Sequence, residues 1–232
     1  MAGFDTTRWS IVLRARGEPA GARQALEALC RTYRSPVLAF VRSRGYSADA
    51  AEDLTQAFFA RFVERAWHSS ADPERGRFRS FLLTALKRFL IDADAETAAL
   101  KRGGTFRFEA IDDDAVDQNA SHDGPEREFE RQWIRVVLNA AFARLREEAG
   151  RAGKLPLFER LSEFLVEPPD DADYARVAAD LGLRRNTLAV AVHRLRHRLR
   201  DIVREELAET TSGRAELAQE LRALRVSTNL LS

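Results

Sequence analysis

Residues 174–204 read YARVAADLGLRRNTLAVAVHRLRHRLRDIVR, two amphipathic segments joined through a glycine. The first segment carries an apolar stripe at the spacing of one helix face: Tyr174, Val177, Ala178 and Leu181. The second carries a matching stripe: Leu188, Val192, Leu195 and Leu199. Gly182 lies between them and supplies a sharp turn. The pattern predicts a helix-turn-helix, whose second helix enters the major groove of DNA.

The second helix of this motif is strongly basic, with seven arginines against one acid between residues 184 and 204. Its first residues can hydrogen-bond base edges or phosphates: Arg184, Arg185, Asn186 and Thr187. Further basic residues along its exposed sides are predicted to meet phosphates: His193, Arg194, Arg196 and Arg198. A surface helix with solvated arginines is the alternative reading of the same pattern.

Charge is segregated along the chain. The 232 residues carry a net charge of only +1, but residues 109–130 hold nine acids against one base. Binding to phosphates depends on clustered cations, so the distribution matters more than the sum. The basic segment therefore favours a nucleic-acid partner, while the acidic segment lacks the periodicity needed to pack and reads as a flexible linker.

Helical periodicity dominates on both sides of this linker, and strand-like alternation is nearly absent. The sequence predicts an all-α protein of two helical domains joined by the acidic linker. The predicted parts are a first helical domain (1–104), the linker (105–124), a helix-turn-helix domain (125–208) and a tail helix (209–232). A content of 45% hydrophobic and 31% charged residues fits a globular protein of this size.

Several classes of function find no support in the sequence. No run of about 18 apolar residues and no signal-peptide core occurs, so no membrane insertion and a cytoplasmic location are expected. Cys30 is the single cysteine, which excludes an intramolecular disulfide. His193 and His197 have a metal-binding spacing, but nothing completes the site. We expect no catalytic residue, no metal, no cofactor and no enzymatic activity.

Two upstream segments, in a fixed order before the helix-turn-helix, carry a resemblance to a known family. Residues 46–62 read YSADAAEDLTQAFFARF, and residues 78–90 read FRSFLLTALKRFL. Together with the helix-turn-helix, they resemble the extracytoplasmic-function sigma factors of the sigma-70 family. The resemblance implies a sigma-2-like first domain, a sigma-4-like second domain and a role in transcription initiation.

The resemblance also implies partners and site residues. Core RNA polymerase, through its β′ clamp and β flap, and promoter DNA would be the partners. One acidic helix would face the clamp through Asp49, Glu52, Asp53 and Gln56. The loop and helix that follow would contact the minus-ten element through Arg75, Arg77, Arg79, Lys87, Arg88, Lys101 and Arg102. Acids at 92, 94 and 96 depart from the family's pattern and would repel DNA if they faced it.

Two other functions stay open at this point. A free-standing helix-turn-helix regulator would bind duplex DNA without polymerase, and a degenerate sigma-like protein would bind polymerase or an anti-sigma factor without reading a promoter. Regulation by an anti-sigma factor is what the family implies. A Ser/Thr kinase is a second hypothesis, with Thr55 as its target, because phosphate there would add negative charge beside the docking residues.

Overall fold

The computed structural model describes residues 9–17, 19–72, 76–101, 124–166, 169–208, 217–218 and 220–222. All regular elements in these residues are helical, which confirms the predicted all-α class. The helices are α1 (Trp9–Arg14), α2 (Pro19–Ser43), α3 (Ala48–Glu64), α4 (Phe78–Lys101), α5 (Pro125–Arg151), α6 (Leu155–Leu161), α7 (Asp171–Asp180) and α8 (Arg185–Ala208), with 3₁₀ turns at Trp67–Ser70 and Glu163–Leu165.

The chain divides into two compact units, and the division falls inside α5. The described residues of the first unit run from Trp9 to Arg135, and those of the second unit run from Val136 to Ala208 and include the described residues of 217–222. The acidic segment 105–123 lies outside the described residues. The predicted domain limits stay a prediction, but the structural division falls about ten residues after the predicted start of the second domain.

Local signals set the boundary between α2 and α3. Gly45 adopts a φ of +92°, a left-handed conformation that a glycine accepts without steric cost, and α2 ends there. Ser47 is the N-cap of α3, and its hydroxyl accepts a hydrogen bond from the Ala50 backbone N–H at 3.3 Å. This hydrogen bond satisfies one of the backbone N–H groups that the first turn of a helix leaves free.

Aromatic rings fill the core of the first unit. Phe58 and Phe62 on α3 are almost fully buried, and the Phe58 ring packs edge-on against Phe89 of α4 at 5.6 Å between centroids. Phe78, at the start of α4, packs against Phe62 and Tyr33. These contacts hold α2, α3 and α4 together and fix which face of α3 remains exposed.

The short helix α1 was not predicted from the sequence. Ile11 and Val12 are 2% and 0% exposed, so this helix adds apolar side chains to the core. Arg16, just after it, donates hydrogen bonds to the carbonyl oxygens of His68 and Ala71. His68 is itself buried, and its burial, with the nearby Arg16 guanidinium, lowers the pKa of His68.

The first turns of α5 complete the first unit. Phe129 is fully buried and stacks on Tyr33 at 6.4 Å between centroids, with the rings 17° from parallel. Trp133 is 2% exposed one turn further along. The helix that was predicted to open the second domain therefore begins by packing on α2 and α4.

The second unit is built around the predicted helix-turn-helix. Its apolar cluster joins α6, the following 3₁₀ turn, α7 and α8 through buried side chains: Leu161, Phe164, Val177, Ala178, Leu188 and Val192. Asp170 and Asp173 form a reciprocal capping box at the start of α7. Gly182 has a φ of +62°, which permits the tight turn between α7 and α8.

An ion-pair network ties α8 to the second half of α5. Arg198 donates two hydrogen bonds of 2.8 Å to the two carboxylate oxygens of Glu148, and a third of 3.1 Å to Glu205. This bidentate contact lowers the pKa of Glu148 and raises that of Arg198. Arg144 of α5 pairs with Glu205 and with the buried Glu206. The network fixes the orientation of α8 about its own axis.

Across the described part of the chain, the helices are all too short or too polar to span a lipid bilayer.

Candidate functional site

The predicted polymerase-binding residues share helix α3, and three of the four are exposed on it: Asp49, Asp53 and Gln56. Their spacing of four and three residues aligns them along one face, opposite the buried Phe58 and Phe62. The face therefore offers two carboxylates and an amide in a row to a partner, and the apolar core behind it holds that row rigid.

Glu52 has two partners within the first unit. Its carboxylate accepts hydrogen bonds from Arg34 at 2.5 Å and from Arg42 at 3.4 Å, both on α2. The residue thus links α3 to α2 and is already paired with two cations. Its contacts position the exposed row of Asp49, Asp53 and Gln56, which we call the acidic face. Its direct part in polymerase binding stays a prediction.

Thr55 faces the interior of the first unit. Its side chain is 1% exposed, and its hydroxyl has no hydrogen-bonding partner among the residues that the structure describes. A kinase would reach this hydroxyl only after α3 had opened locally. Phosphorylation at Thr55 stays an untested hypothesis, and the burial argues against it.

The basic residues predicted to contact the minus-ten element are only partly described. Arg75 and Arg102 lie outside the described residues, and so does the side chain of Lys101. Arg77 and Arg88 are half-buried at the start and in the middle of α4.

Arg79 is not placed as the sequence predicts. Its side chain is 5% exposed, its guanidinium lies 4.1 Å over the Trp133 ring, and its Nε donates a 2.9 Å hydrogen bond to Glu130. Ion pair and cation–π contact together hold it against α5. The prediction that Arg79 binds a DNA phosphate is corrected, because the charge faces the protein interior.

Lys87 is also engaged by an acid of α5. Its ammonium lies 2.8 Å from the Glu126 carboxylate. Burial of Glu126 favours its neutral form, but the hydrogen bond and the charge of Lys87 outweigh this effect and lower the pKa of Glu126. Lys87 keeps 36% of its side chain exposed, so it can still reach a phosphate at the cost of this pair.

The structural role of Arg79 gives a testable prediction. Glu130→Gln removes the negative charge but leaves the guanidinium buried, and we expect it to lower the free energy of unfolding of the first unit by about 1–3 kcal/mol. Glu128→Gln is the matched control on the same helix, because its partner Arg131 is 61% exposed and the pair contributes less than about 1 kcal/mol. Equal effects in urea unfolding would show that Glu130 does not hold Arg79.

One member of the acidic run in α4 has a structural partner. The hydroxyl of Tyr46 donates to the Asp94 carboxylate at 2.7 and 2.9 Å. Its partial burial and this hydrogen bond raise the pKa of Tyr46 to about 12. Asp94 therefore anchors the turn between α2 and α3, which explains one departure from the family's pattern without reference to DNA.

The start of α8 is exposed, as the prediction of a DNA-reading helix requires. The exposed residues at this end are Arg184, Arg185, Asn186 and Thr187, followed by His193 and Arg194. Arg185 donates to Asp171 of α7, and this pair is open to solvent. Of these residues, Asn186 and His193 lie on the face of α8 opposite the buried Leu188 and Val192.

Two arginines of α8 point away from that side. Arg196 is half-buried and donates a 2.9 Å hydrogen bond to the carbonyl oxygen of Phe164, and Arg198 is held by Glu148 and Glu205. Both were predicted to contact DNA phosphates, and that stays a prediction; in this structure they fasten α8 to the rest of its own unit.

Sequence reasoning missed Val190, which is 45% exposed on α8. The available signal was its position four residues after Asn186 and three before His193, which places it on the exposed face of the predicted helix. No group of three or more side chains that could hold a metal ion occurs among the described residues.

The chain is similar to known proteins of one family. Residues 29–96, from the middle of α2 to the end of the acidic run in α4, match the model of the Sigma-70 region 2 family. A protein of Mycolicibacterium smegmatis named ECF RNA polymerase sigma factor SigE is 26% identical over 209 residues, which cover 90% of this chain and 73% of that protein. No solved structure matches the chain.

The family match covers the helices that carry the acidic face and the basic residues of α4, and the relative extends the likeness through the helix-turn-helix. Residues 29–96 are therefore similar to the Sigma-70 region 2 family, and most of the chain is similar to an extracytoplasmic-function sigma factor.

Proposed function

We propose that this protein is a sigma factor that brings core RNA polymerase to specific promoters and assists the opening of DNA. Two exposed surfaces correspond to these two tasks, polymerase binding and promoter binding. The acidic face of α3 suits the clamp of the polymerase, and the start of α8 suits the major groove of duplex DNA. A sigma factor acts on chromosomal DNA, so the proposal implies a cytoplasmic location and requires no catalytic residue.

The acidic face is the observation that carries the proposal. Asp49, Asp53 and Gln56 are exposed in a row, while Arg34 and Arg42 neutralise only Glu52, the acid beside them. Asp49 lies in the first turn of α3, where the helix dipole favours an acid, but Asp53 lies beyond that turn, so the dipole does not account for it. Contact with a basic surface of a partner would account for the exposed acid at this position.

The test is a titration of the full-length chain against core RNA polymerase of its own organism. We expect tight binding that Asp53→Arg weakens at least tenfold, because a like charge facing a basic surface costs several kcal/mol. Glu64→Arg is the control: the charge change is the same, on an exposed residue of the same helix about 16 Å further along. Absence of binding in the wild type, with duplex DNA still bound, would favour a free-standing regulator.

A degenerate sigma-like protein is the second candidate, and the contacts of α5 favour it. Glu130 and Glu126 engage Arg79 and Lys87, two of the cations predicted to reach the minus-ten element. Such a protein would bind core polymerase through α3 without reading a promoter. Transcription from a selected promoter by the assembled holoenzyme separates the two: specific transcripts require the full function.

Regulation is proposed to come from a separate protein. The burial of Thr55 leaves the kinase hypothesis without an accessible target at that position. An anti-sigma factor could instead cover the exposed acidic face of α3, because that face is available in the folded unit. We expect such a factor to compete with core polymerase for the wild-type protein. Asp53→Arg should weaken the binding of both partners.

A further inference from the structure

The exposed side of α8 has an apolar residue in its middle. Asn186, Val190, His193 and His197 follow one another at four, three and four residues, and all are exposed; we call these four residues the recognition face. Val190 is 45% exposed, and the other three members are polar. Val190 is therefore the one apolar member of the recognition face.

Folding does not account for a valine at this position. Leu188 and Val192, two residues away on each side, are 0% and 1% exposed, so Val190 points away from the core that they form. Valine also forms helices less readily than the straight-chain residues that usually occupy exposed helix positions. Neither packing nor helix propensity selects it, and its position in the middle of the polar recognition face is what points to a partner.

The major groove of DNA offers one apolar group to such a side chain. The C5-methyl of thymine projects into the groove, while the other base edges present hydrogen-bond donors and acceptors. We propose that Val190 packs against the methyl group of a thymine in the promoter and so determines specificity at that base pair. This inference rests on the proposed function, because it requires that the recognition face reads duplex DNA.

The neighbours of Val190 strengthen the assignment. Asn186, one turn towards the N-terminus, has the side chain that pairs with adenine N6 and N7 in a bidentate manner. Arg184 and Arg194 lie before and after and can hold phosphates on the two sides of the groove. If Asn186 reads a base and the two arginines hold phosphates, Val190 lies in the same groove. It can then reach the methyl group of a thymine there.

The experiment begins with the holoenzyme, formed from the full-length chain and core polymerase of its own organism. Selection from duplexes with a randomised upstream promoter element would give the preferred sequence. Each thymine in it is then replaced by deoxyuridine, which keeps base pairing and removes only the methyl group. At one thymine we expect binding to weaken about fourfold, the effect of one buried methyl group.

Val190→Ser removes both methyl groups of the side chain and keeps a similar helix propensity. In this variant the same deoxyuridine replacement should have no further effect. Val166→Ser, at a residue that is 52% exposed and lies outside α8, is the control and should respond to deoxyuridine as the wild type does.

Two results would overturn the inference: a selected sequence in which no thymine responds to deoxyuridine, or an equal response in the wild type and in Val190→Ser. A failure of the proposed function looks different, since the holoenzyme would then not form or would select no sequence at all. The contact is supported if Val190→Ser no longer responds to the deoxyuridine replacement while the wild type and Val166→Ser still do.

Discussion

Phe129→Ala should lower the free energy of unfolding of the first unit by about 3–5 kcal/mol, the usual effect of removing a buried aromatic ring. Phe129 is fully buried and stacked on Tyr33, so its loss leaves a cavity between α5 and α2. The effect is large because a unit of this size has a total stability of only about 5–15 kcal/mol. It would show that α5 is part of the first unit's core.

Tryptophan fluorescence gives a direct measurement of this effect. All three tryptophans, Trp9, Trp67 and Trp133, lie in the first unit, so their emission during urea unfolding reports on that unit alone. Ile91→Ala is the control: this residue of α4 is 63% exposed, and its loss should change stability by less than about 0.5 kcal/mol. A Phe129→Ala protein as stable as Ile91→Ala would contradict the packing described here.

Leu188→Ala should lower the stability of the second unit by about 2–5 kcal/mol and abolish promoter binding. Leu188 is fully buried in the cluster that fixes α8 against α6 and α7. Without it, the recognition face no longer has a defined orientation. Binding to core polymerase should remain, because the acidic face of α3 belongs to the other unit.

Two assays on the same protein test this separation. Helical circular dichroism during thermal unfolding gives the stability, and titrations with core polymerase and with promoter DNA give the two activities. Val190→Ala, two residues away on the exposed side of α8, should leave stability nearly unchanged. If Leu188→Ala abolished polymerase binding as strongly as promoter binding, the assignment of the two activities to separate units would be wrong.

Helix periodicity was enough to predict most of the fold. The stripes around Phe58, Val177 and Leu188 each span two turns or more, and the structure confirms their helices and the Gly182 turn. Helix α1 escaped prediction because its six residues are too few to show a period. Its place in the core depends on contacts that no local pattern reveals.

The sequence was less informative about which cations are exposed. The family resemblance implied a DNA contact for Arg79, and the basic character of the second helix predicted one for Arg196 and Arg198. Each is instead fixed by an acceptor at least 32 residues away in the chain. A guanidinium on a half-buried helix flank can face solvent or protein, and the distant partner decides between the two.

The position of the unit boundary inside α5 has a consequence for domain exchange. A hybrid joined to a relative within residues 105–124 would separate Phe129 from Tyr33 and Trp133 from Arg79. A junction between Arg135 and Val136 keeps both sets of apolar side chains with their own units. Recombination between such chains is therefore expected to preserve folding when the junction lies inside this helix rather than in the acidic linker before it.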